Sequence, residues 1–268
     1  RMGKDQVKKQ LEENIGFYEE HKDNQLVHGL LGLHANFTLS EETLHLIADR
    51  KPDKLPIHIH CGEGQSDLEF CQEQSYEGPV DRLNEHGLLD DHSLLAHCIH
   101  LSEKDYQLLD EIDPIAISNP ESNANNNVGR MNLDRIKKYV LGTDGMTGNI
   151  LGTMRTHFLM RNADLPEPKK TLFEYPAQTI DKFFPAAGRL QKGKAADLAI
   201  TNYKPVTEIN LDNLFYHLIF GVEGQKMHMT ISNGEILYKD GQFPNLNQSK
   251  IHEKVKSAAR KLHRKFYE

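Results

Sequence analysis

The stretch Ile57-His58-Ile59-His60-Cys61-Gly62-Glu63 (IHIHCGE, 57–63) decides the fold. Its alternation of apolar residues with histidine predicts a short strand. Residues two apart on a strand point to the same face, so His58 and His60 share a face and Glu63 lies in the loop just past the strand. Two interpretations stay open: part of a metal and proton-transfer site, or a strand with two core histidines and a solvated glutamate.

Outward from this stretch, short apolar runs alternate with helical patterns along the chain. Strands are predicted over 26–33, 57–60, 93–97, 115–118 and 139–143, and helices over 5–22, 41–49, 79–86, from Ser102, and from about Asn132. Five strands separated by helices indicate a parallel α/β sheet or barrel. Barrel enzymes build their active sites at the carboxyl ends of the strands. The polar residues at these predicted ends are His34, His60, His97, Asn119 and Asp144.

Two further motifs follow strands in the same way. In His97-Cys98-Ile99-His100, His97 closes a strand and is the better site candidate, whereas a surface or capping role is expected for His100. Cys61 and Cys98 should point away from the histidine face, which disfavours a Cys/His zinc site. In LGTDG (141–145), Asp-Gly alone is typical of a turn, but the order His, His, Asp at successive strand ends indicates a metal-assisted hydrolytic site.

The C-terminal third has a different pattern. Short strands are predicted over 197–201 and 227–232, and Asn233-Gly234 between apolar runs predicts a hairpin. Residues 249–267 predict a basic amphipathic helix that docks as a terminal helix. We therefore divide the chain into an α/β part (1–188), a β part (189–247) and a terminal helix (248–268).

Composition excludes several classes of function. The chain has 268 residues and a formal net charge of −7, which disfavours a partner held through its phosphate backbone, such as a nucleic acid. No apolar run is long enough for a membrane span and the first residues are too charged for a signal peptide, so a cytoplasmic location without a membrane partner is expected. Three cysteines do not make a disulfide framework, while 15 histidines draw attention to metal or acid-base chemistry.

The motifs, taken in order, resemble the amidohydrolase superfamily. GLLGLHANFTLS, HIHCGE, LLAHCIHLS, SNPESN and LGTDG match the ends of its fourth to eighth strands, and GRLQKGKAADLAI and ISNGEILYKDG match its C-terminal β-sandwich. The pattern is most similar to the branch of aromatic-amine deaminases and chlorohydrolases, and to aminohydrolases of the SsnA type. The resemblance implies an α/β fold: the C-terminal portion of a TIM-like (β/α)8 metallo-hydrolase barrel plus part of a small β-sandwich domain.

The resemblance also implies a chemistry. A metal-activated water would deaminate or dechlorinate a small aromatic heterocycle, with one divalent metal, zinc before iron. The implied roles are metal ligand for His60, metal ligand and general base for Asp144, proton donor for Glu63, orientation of water or substrate for His97, and substrate contact for His34 and Asn123. In this resemblance His58 has no fixed role and is expected to be a packing residue.

One family feature is missing from the sequence. The His-x-His pair of the family's first strand has no counterpart, and only 86 positions lead from His58 to Asp144. We therefore expect the chain to begin near the third barrel helix, without the first three strands. The alternative is a non-catalytic fragment that forms a homo-oligomer through exposed strand edges near 27–33 and 139–143. A cyclic-amide hydrolase is a weaker alternative, since that branch carries a carboxylated lysine on the fourth strand, where this chain has His34.

Overall fold

The computed structural model describes residues 4–161 and 170–267, which belong to two compact units, Arg1–Pro185 and Ala186–Glu268. The first unit contains a five-stranded sheet in which every pairing is parallel and the strand order follows the chain. The strands are β1 (Leu31–Ala35), β2 (Ile57–Cys61), β3 (Leu94–His97), β4 (Ile115–Ser118) and β5 (Val140–Leu141). The predicted parallel α/β architecture is confirmed.

Helices connect successive strands, as parallel pairing requires. Those of the first unit are α1 (Lys4–His21), α2 (Glu41–Arg50), α3 (Gln65–Glu73), α4 (Pro79–Glu85), α5 (Glu103–Ile112), α6 (Pro120–Asn126), α7 (Ile150–Arg161) and α8 (Tyr175–Phe183). Side chains cap two of these helices: Ser40 accepts a hydrogen bond from the Thr43 amide at the start of α2, and Ser102 and Asp105 form a capping box at the start of α5.

Alternation along β2 separates the core from the open face of the sheet. Ile57, Ile59 and Cys61 are buried among apolar side chains of the helices, whereas His58 is exposed and His60 is half-buried on the other face. Cys98 is also buried, and the cysteines are free thiols. The histidine face of β2 is therefore the polar face, as predicted.

Two boundaries differ from the sequence prediction. The strand predicted over 26–33 begins only at Leu31, because the Asn24 side chain accepts hydrogen bonds from the amides of Leu26 and Val27 and so holds them in a local turn. The asparagine-rich residues after β4, for which no helix is predicted, form the short helix α6.

The helix predicted from about Asn132 is wrong. Residues 133–135 form a turn, in which the Asn132 side chain accepts a hydrogen bond from the Asp134 amide. The apolar spacing that suggested a helix arises from Met131, Leu133 and Ile136, all buried in the core of the first unit. The apolar spacing in this segment therefore reflects burial of these three side chains in the core and not a helical backbone.

A buried histidine makes the stability of this unit depend on pH. His157 of α7 is 3% exposed, and its Nε2 lies 2.9 Å from the Tyr139 hydroxyl. Burial, and then the nearby charge of Arg161, lower the pKa of His157 to about 4. Between about pH 6.5 and pH 4, the His157 imidazole is therefore protonated in the unfolded chain but neutral in the folded chain. The free energy of unfolding falls as the pH falls through that window.

From pH 7.5 to pH 5, this single histidine is expected to remove about 2 kcal/mol from the free energy of unfolding. His157→Gln, which cannot be protonated, should show a correspondingly smaller loss over the same interval. Urea unfolding at the two pH values measures both. An equal pH dependence in the variant and the natural chain would contradict the assignment.

The second unit carries an antiparallel sheet of β6 (Leu198–Thr201), β7 (Met227–Ser232) and β8 (Glu235–Lys239). The predicted hairpin is confirmed: Asn233 and Gly234 have φ of 46° and 83°, the positive values that a tight hairpin turn needs. The short α9 (Leu214–Tyr216) precedes β7, and the predicted terminal helix is α10 (Gln248–Tyr267). Its predicted docking is wrong, because all of its described residues are exposed. In the part of the chain that the structure describes, each helix is either too short or too polar to span a bilayer.

Candidate active site

The carboxyl ends of the parallel strands bring the predicted residues together. The His60 ring lies 5.5 Å from the His34 ring and 5.3 Å from the His97 ring, measured between centroids. His97 Nε2 lies 3.8 Å from Glu63 Oε2 and 3.9 Å from Asp144 Oδ2. These five side chains, taken from the ends of four strands, surround one small space.

An unusual backbone conformation aims His97 into this space. The register pairs His97 with Cys61, so regular alternation would place its side chain on the core side of the sheet. Instead His97 and Cys98 have φ of 77° and 47°. Residues other than glycine adopt this left-handed backbone conformation at a cost of about 1–3 kcal/mol each. Such strain is concentrated at functional sites. The backbone conformation therefore adds to the evidence, already given by its position at a strand end, that His97 is a functional residue.

Glycines allow the loops after the strands to approach closely. Gly62 has φ of 59°, and a Cβ there would lie 2.6 Å from the His100 carbonyl oxygen. At Gly142 a Cβ would overlap the Asn119 side chain. Glycine at these two positions is thus required to bring Glu63 and Asp144 to the site.

The protonation states of His60 and Asp144 suit metal ligation. The pKa of His60 is lowered chiefly by burial and then by the charge of the neighbouring His97. The pKa of Asp144 is lowered chiefly by the Ser122 hydroxyl, which donates a hydrogen bond of 2.6 Å to Oδ2. At neutral pH the imidazole is neutral and the carboxylate ionised, the forms that bind divalent ions.

The distances from His97 to the two carboxylates are too long for direct hydrogen bonds. Carboxylate oxygens accept hydrogen bonds, and so does an unprotonated imidazole nitrogen. A space bordered by Glu63, His97 and Asp144 therefore suits a small hydrogen-bond donor, such as water or an amino group.

Asn123 lies beneath the site and not at its surface. It is 2% exposed, and its Oδ1 lies 2.8 Å from Nδ1 of His97, which is 1% exposed. The Nδ2 of Asn119 lies 3.5 Å from the same His97 nitrogen. The substrate contact expected of Asn123 stays a prediction, whereas its contact with His97 is direct.

Two residues of the site were missed by sequence reasoning. Ser122 bonds Asp144, and the Asn126 Nδ2 donates to Glu63 Oε1 over 3.2 Å. The run of asparagines resembles a polar loop, and only the Asn119-Pro120 pair, a common helix start, signalled that it is helical.

The comparisons with known proteins agree with this architecture. The family model described as "Amidohydrolase family" matches residues 2–237. The chain belongs to the amidohydrolase family. Its sequence is 27% identical over 251 residues to a 5'-deoxyadenosine deaminase of Methanococcus maripaludis, covering 88% of this chain and 59% of the relative. It is 26% identical over 264 residues to a 5-methylthioadenosine/S-adenosylhomocysteine deaminase of Syntrophobacter fumaroxidans, covering 91% of this chain and 59% of the relative.

Solved structures show the same fold. An adenosine deaminase from Xanthomonas campestris, crystallised with bound zinc, superposes with a TM-score of 0.77 at 19% identity, covering 92% of this amidohydrolase and 60% of that chain. The present chain thus spans about three fifths of the proteins it matches. Its sheet is consistent with part of a TIM-like barrel.

Two residues of this amidohydrolase lie on the open face beside the site. His34 is exposed on β1 and lines a groove of about 800 Å³ between α1, β1 and α2. His58 is exposed on β2, so it does not pack in the core. His100, by contrast, places its Nε2 2.7 Å from the Val128 carbonyl oxygen and holds the loop after α6.

A second cluster of possible metal ligands lies on α2 and at the end of α4. Among the described residues, Glu41, His45 and His86 make the one group of three such donor atoms within 4.8 Å of one another. The Glu41 carboxylate is already paired: Oε1 lies 2.7 Å from the Arg82 guanidinium, and Oε2 accepts from the Tyr76 hydroxyl. We therefore interpret this group as an ion-pair network between helices.

Proposed function

We propose that this chain carries the proton-transfer half of a metal-dependent aminohydrolase that deaminates an aromatic heterocycle. The observation that carries the proposal is the convergence of Glu63, His97 and Asp144 at the carboxyl ends of a parallel sheet in an amidohydrolase. The sequence relatives named as deaminases of adenine nucleosides support an aminated purine-like ring as the substrate class. His34 would contact that ring from the groove beside β1.

The residues divide the reaction between them. Asp144, ionised at neutral pH, takes a proton from the attacking water, and His97 Nε2 orients that water. Oxygen adds to the ring carbon that carries the amino group, and the C–N bond breaks. Glu63 delivers a proton to the departing nitrogen, and ammonia leaves. The hydroxyl proton moves to a ring nitrogen to give the oxo heterocycle, and the proton held by Asp144 returns to Glu63, which restores both carboxyl groups.

His60 and Asp144 would hold the divalent ion that the family uses. One neutral imidazole and one carboxylate are ligands that suit zinc or iron. When bound, such an ion supplies a Lewis acid that lowers the pKa of water. Catalytic zinc usually takes three protein ligands. Within residues 4–161 and 170–267 these two donors have no third histidine, cysteine or carboxylate close enough to complete a compact group, and we expect weak zinc binding by this chain.

Histidine substitutions on β2 test this ligand assignment with a matched pair. His60→Gln should weaken zinc binding by about 10-fold or more, because it removes a proposed ligand. His58→Gln changes a neighbour on the same face and should leave the affinity unchanged. Competition with a coloured chelator measures both; an equal loss in the two variants would contradict the role of His60.

The proposed activity is tested by following ammonia release from adenine nucleosides, including 5'-deoxyadenosine, by the purified chain with added zinc. The same preparation from a host that lacks the chain is the control for contaminating deaminases. Ammonia release above that control supports the proposal. Its absence for every aminated purine, with the chain folded, would favour a non-catalytic chain.

The sequence also predicts a cytoplasmic homo-oligomer. β1 and β5 are the outer strands of the described sheet, and pairing through strand edges is the proposed mode of association. Light scattering on the purified chain measures the oligomeric state.

A further inference from the structure

The helix α6 presents a polar stripe to the site. Its N-cap Asn119 and residues Ser122, Asn123 and Asn126 recur at spacings of three and four, which place them on one face. Ser122 and Asn123 are buried, although asparagine and serine usually favour caps and turns over helix interiors. The contacts that these side chains make explain why α6 contains serine and asparagine at these positions.

Two residues of the stripe connect the catalytic carboxylates. Ser122 Oγ donates to Asp144 Oδ2 over 2.6 Å, and Asn126 Nδ2 donates to Glu63 Oε1 over 3.2 Å. Asn126 Nδ2 also lies 3.5 Å from Ser122 Oγ, which accepts from it. A continuous chain of hydrogen bonds therefore runs from Glu63 through α6 to Asp144, and one oxygen of each carboxylate is fixed by it.

The third residue of the stripe acts on His97. The side-chain amide oxygen of Asn123 can only accept and lies 2.8 Å from His97 Nδ1, whereas the Asn119 Nδ2 donor lies 3.5 Å away, so the shorter contact assigns the proton to Nδ1. In the neutral ring this leaves the lone pair on Nε2, the nitrogen that faces Glu63 and Asp144. The Nδ1–H tautomer is thus the one that accepts a hydrogen bond from a water in the site.

The helix is itself anchored on its other side. The Glu121 carboxylate accepts hydrogen bonds of 3.1 Å from the hydroxyls of Thr153 and Thr156, both on α7. Because these bonds hold α6 from behind, its polar stripe can fix side-chain positions in the site and not merely follow them.

We propose that Ser122, Asn123 and Asn126 are positioning residues that fix the orientation of Asp144, the tautomer of His97 and the orientation of Glu63. The catalytic part of this inference rests on the proposed function. The hydrogen bonds themselves can be tested without activity.

The tautomer of His97 is the first test. The imidazole nitrogens of the chain labelled with ¹⁵N-histidine are recorded by NMR at pH 8, and His97 is assigned by its loss in His97→Gln. The expected result is an Nδ1–H tautomer in the natural chain and a shift toward Nε2–H in Asn123→Leu, with no change in Asn125→Ala on the exposed side of α6. An Nε2–H tautomer in the natural chain would overturn the role of Asn123, even if the leucine variant fails to fold.

Kinetics test the other two residues. Ser122→Ala and Asn126→Ala should each lower kcat by about 10- to 100-fold with little change in KM, because they disorder reacting groups and not the substrate contact. Ser122→Thr keeps the hydroxyl and should restore most of the activity, and Asn127→Gly, at the exposed left-handed C-cap of α6, is the matched control. If the natural chain is active and Ser122→Ala and Asn126→Ala are as active, the positioning role fails while the proposed function stands. If the natural chain is inactive, the proposed function fails and the NMR result still decides the role of Asn123.

Discussion

Replacing Asp144 by asparagine is expected to lower kcat/KM for deamination by about 10³-fold or more. Proton transfer by a positioned base is worth about 10²–10⁴-fold, and Asp144 is also a proposed metal ligand. The amide has nearly the same shape: its oxygen can accept from the Gly145 amide, and its NH2 group can donate to the Ser122 hydroxyl oxygen, so the loop should keep its conformation. The loss therefore reports on chemistry and not on folding. Ammonia release over a range of nucleoside concentrations gives kcat and KM.

The matched control is Asp134→Asn, at a fully exposed carboxylate in the turn before β5. It removes the same charge from the same unit and should leave turnover within about twofold, because surface substitutions away from a site have small effects. Activity of the Asp144 variant within about threefold of the natural chain would exclude Asp144 as the base.

The strand ends of the site could be predicted because parallel strands impose a simple rule. Their carboxyl ends lie at one edge of the sheet, so polar residues that close successive apolar runs must meet there. His60, His97 and Asp144 do so. The positive φ of His97 could not be predicted, since nothing in Leu94-Leu95-Ala96-His97 signals that alternation breaks at its last residue.

The helix α6 was missed for a different reason. Asparagine and serine have low helix propensity because their side chains compete for backbone hydrogen bonds. Here those side chains bond residues distant in sequence, and Glu121 is held by α7, so tertiary contacts stabilise a helix that local preference disfavours. Predicting it requires knowing that Asp144 and Glu63 lie opposite its face, which is a consequence of the fold and not of the segment.

Replacing Arg82 by alanine is expected to reduce the free energy of unfolding by about 3–5 kcal/mol. Arg82 is 1% exposed, and its guanidinium donates to the backbone oxygens of Asn36 and Leu39 and to the Glu41 carboxylate. Alanine would leave the buried Asn36 carbonyl oxygen without this donor and the partly exposed Glu41 carboxylate without its cation, and it would open a cavity where the buried arginine side chain packed. The pKa of Glu41 is lowered in part by its bond to Arg82, although burial opposes that shift. Urea unfolding measures the loss.

Arg50→Ala is the matched control for Arg82, because Arg50 ends α2 with an exposed pair to Glu12 at 3.3 Å. Exposed pairs contribute at most about 1 kcal/mol, so this variant should unfold close to the natural chain. Glu41→Gln removes the charge but keeps a side chain that can form hydrogen bonds, so it should reduce the free energy of unfolding less than Arg82→Ala does. This variant still tests the network if Arg82→Ala does not fold. Equal stabilities of the Arg82 and Arg50 variants would show that the network is no stronger than a surface pair. A large difference would show that Arg82 stabilises the first unit through the loop after β1, to whose Asn36 and Leu39 carbonyl oxygens it donates.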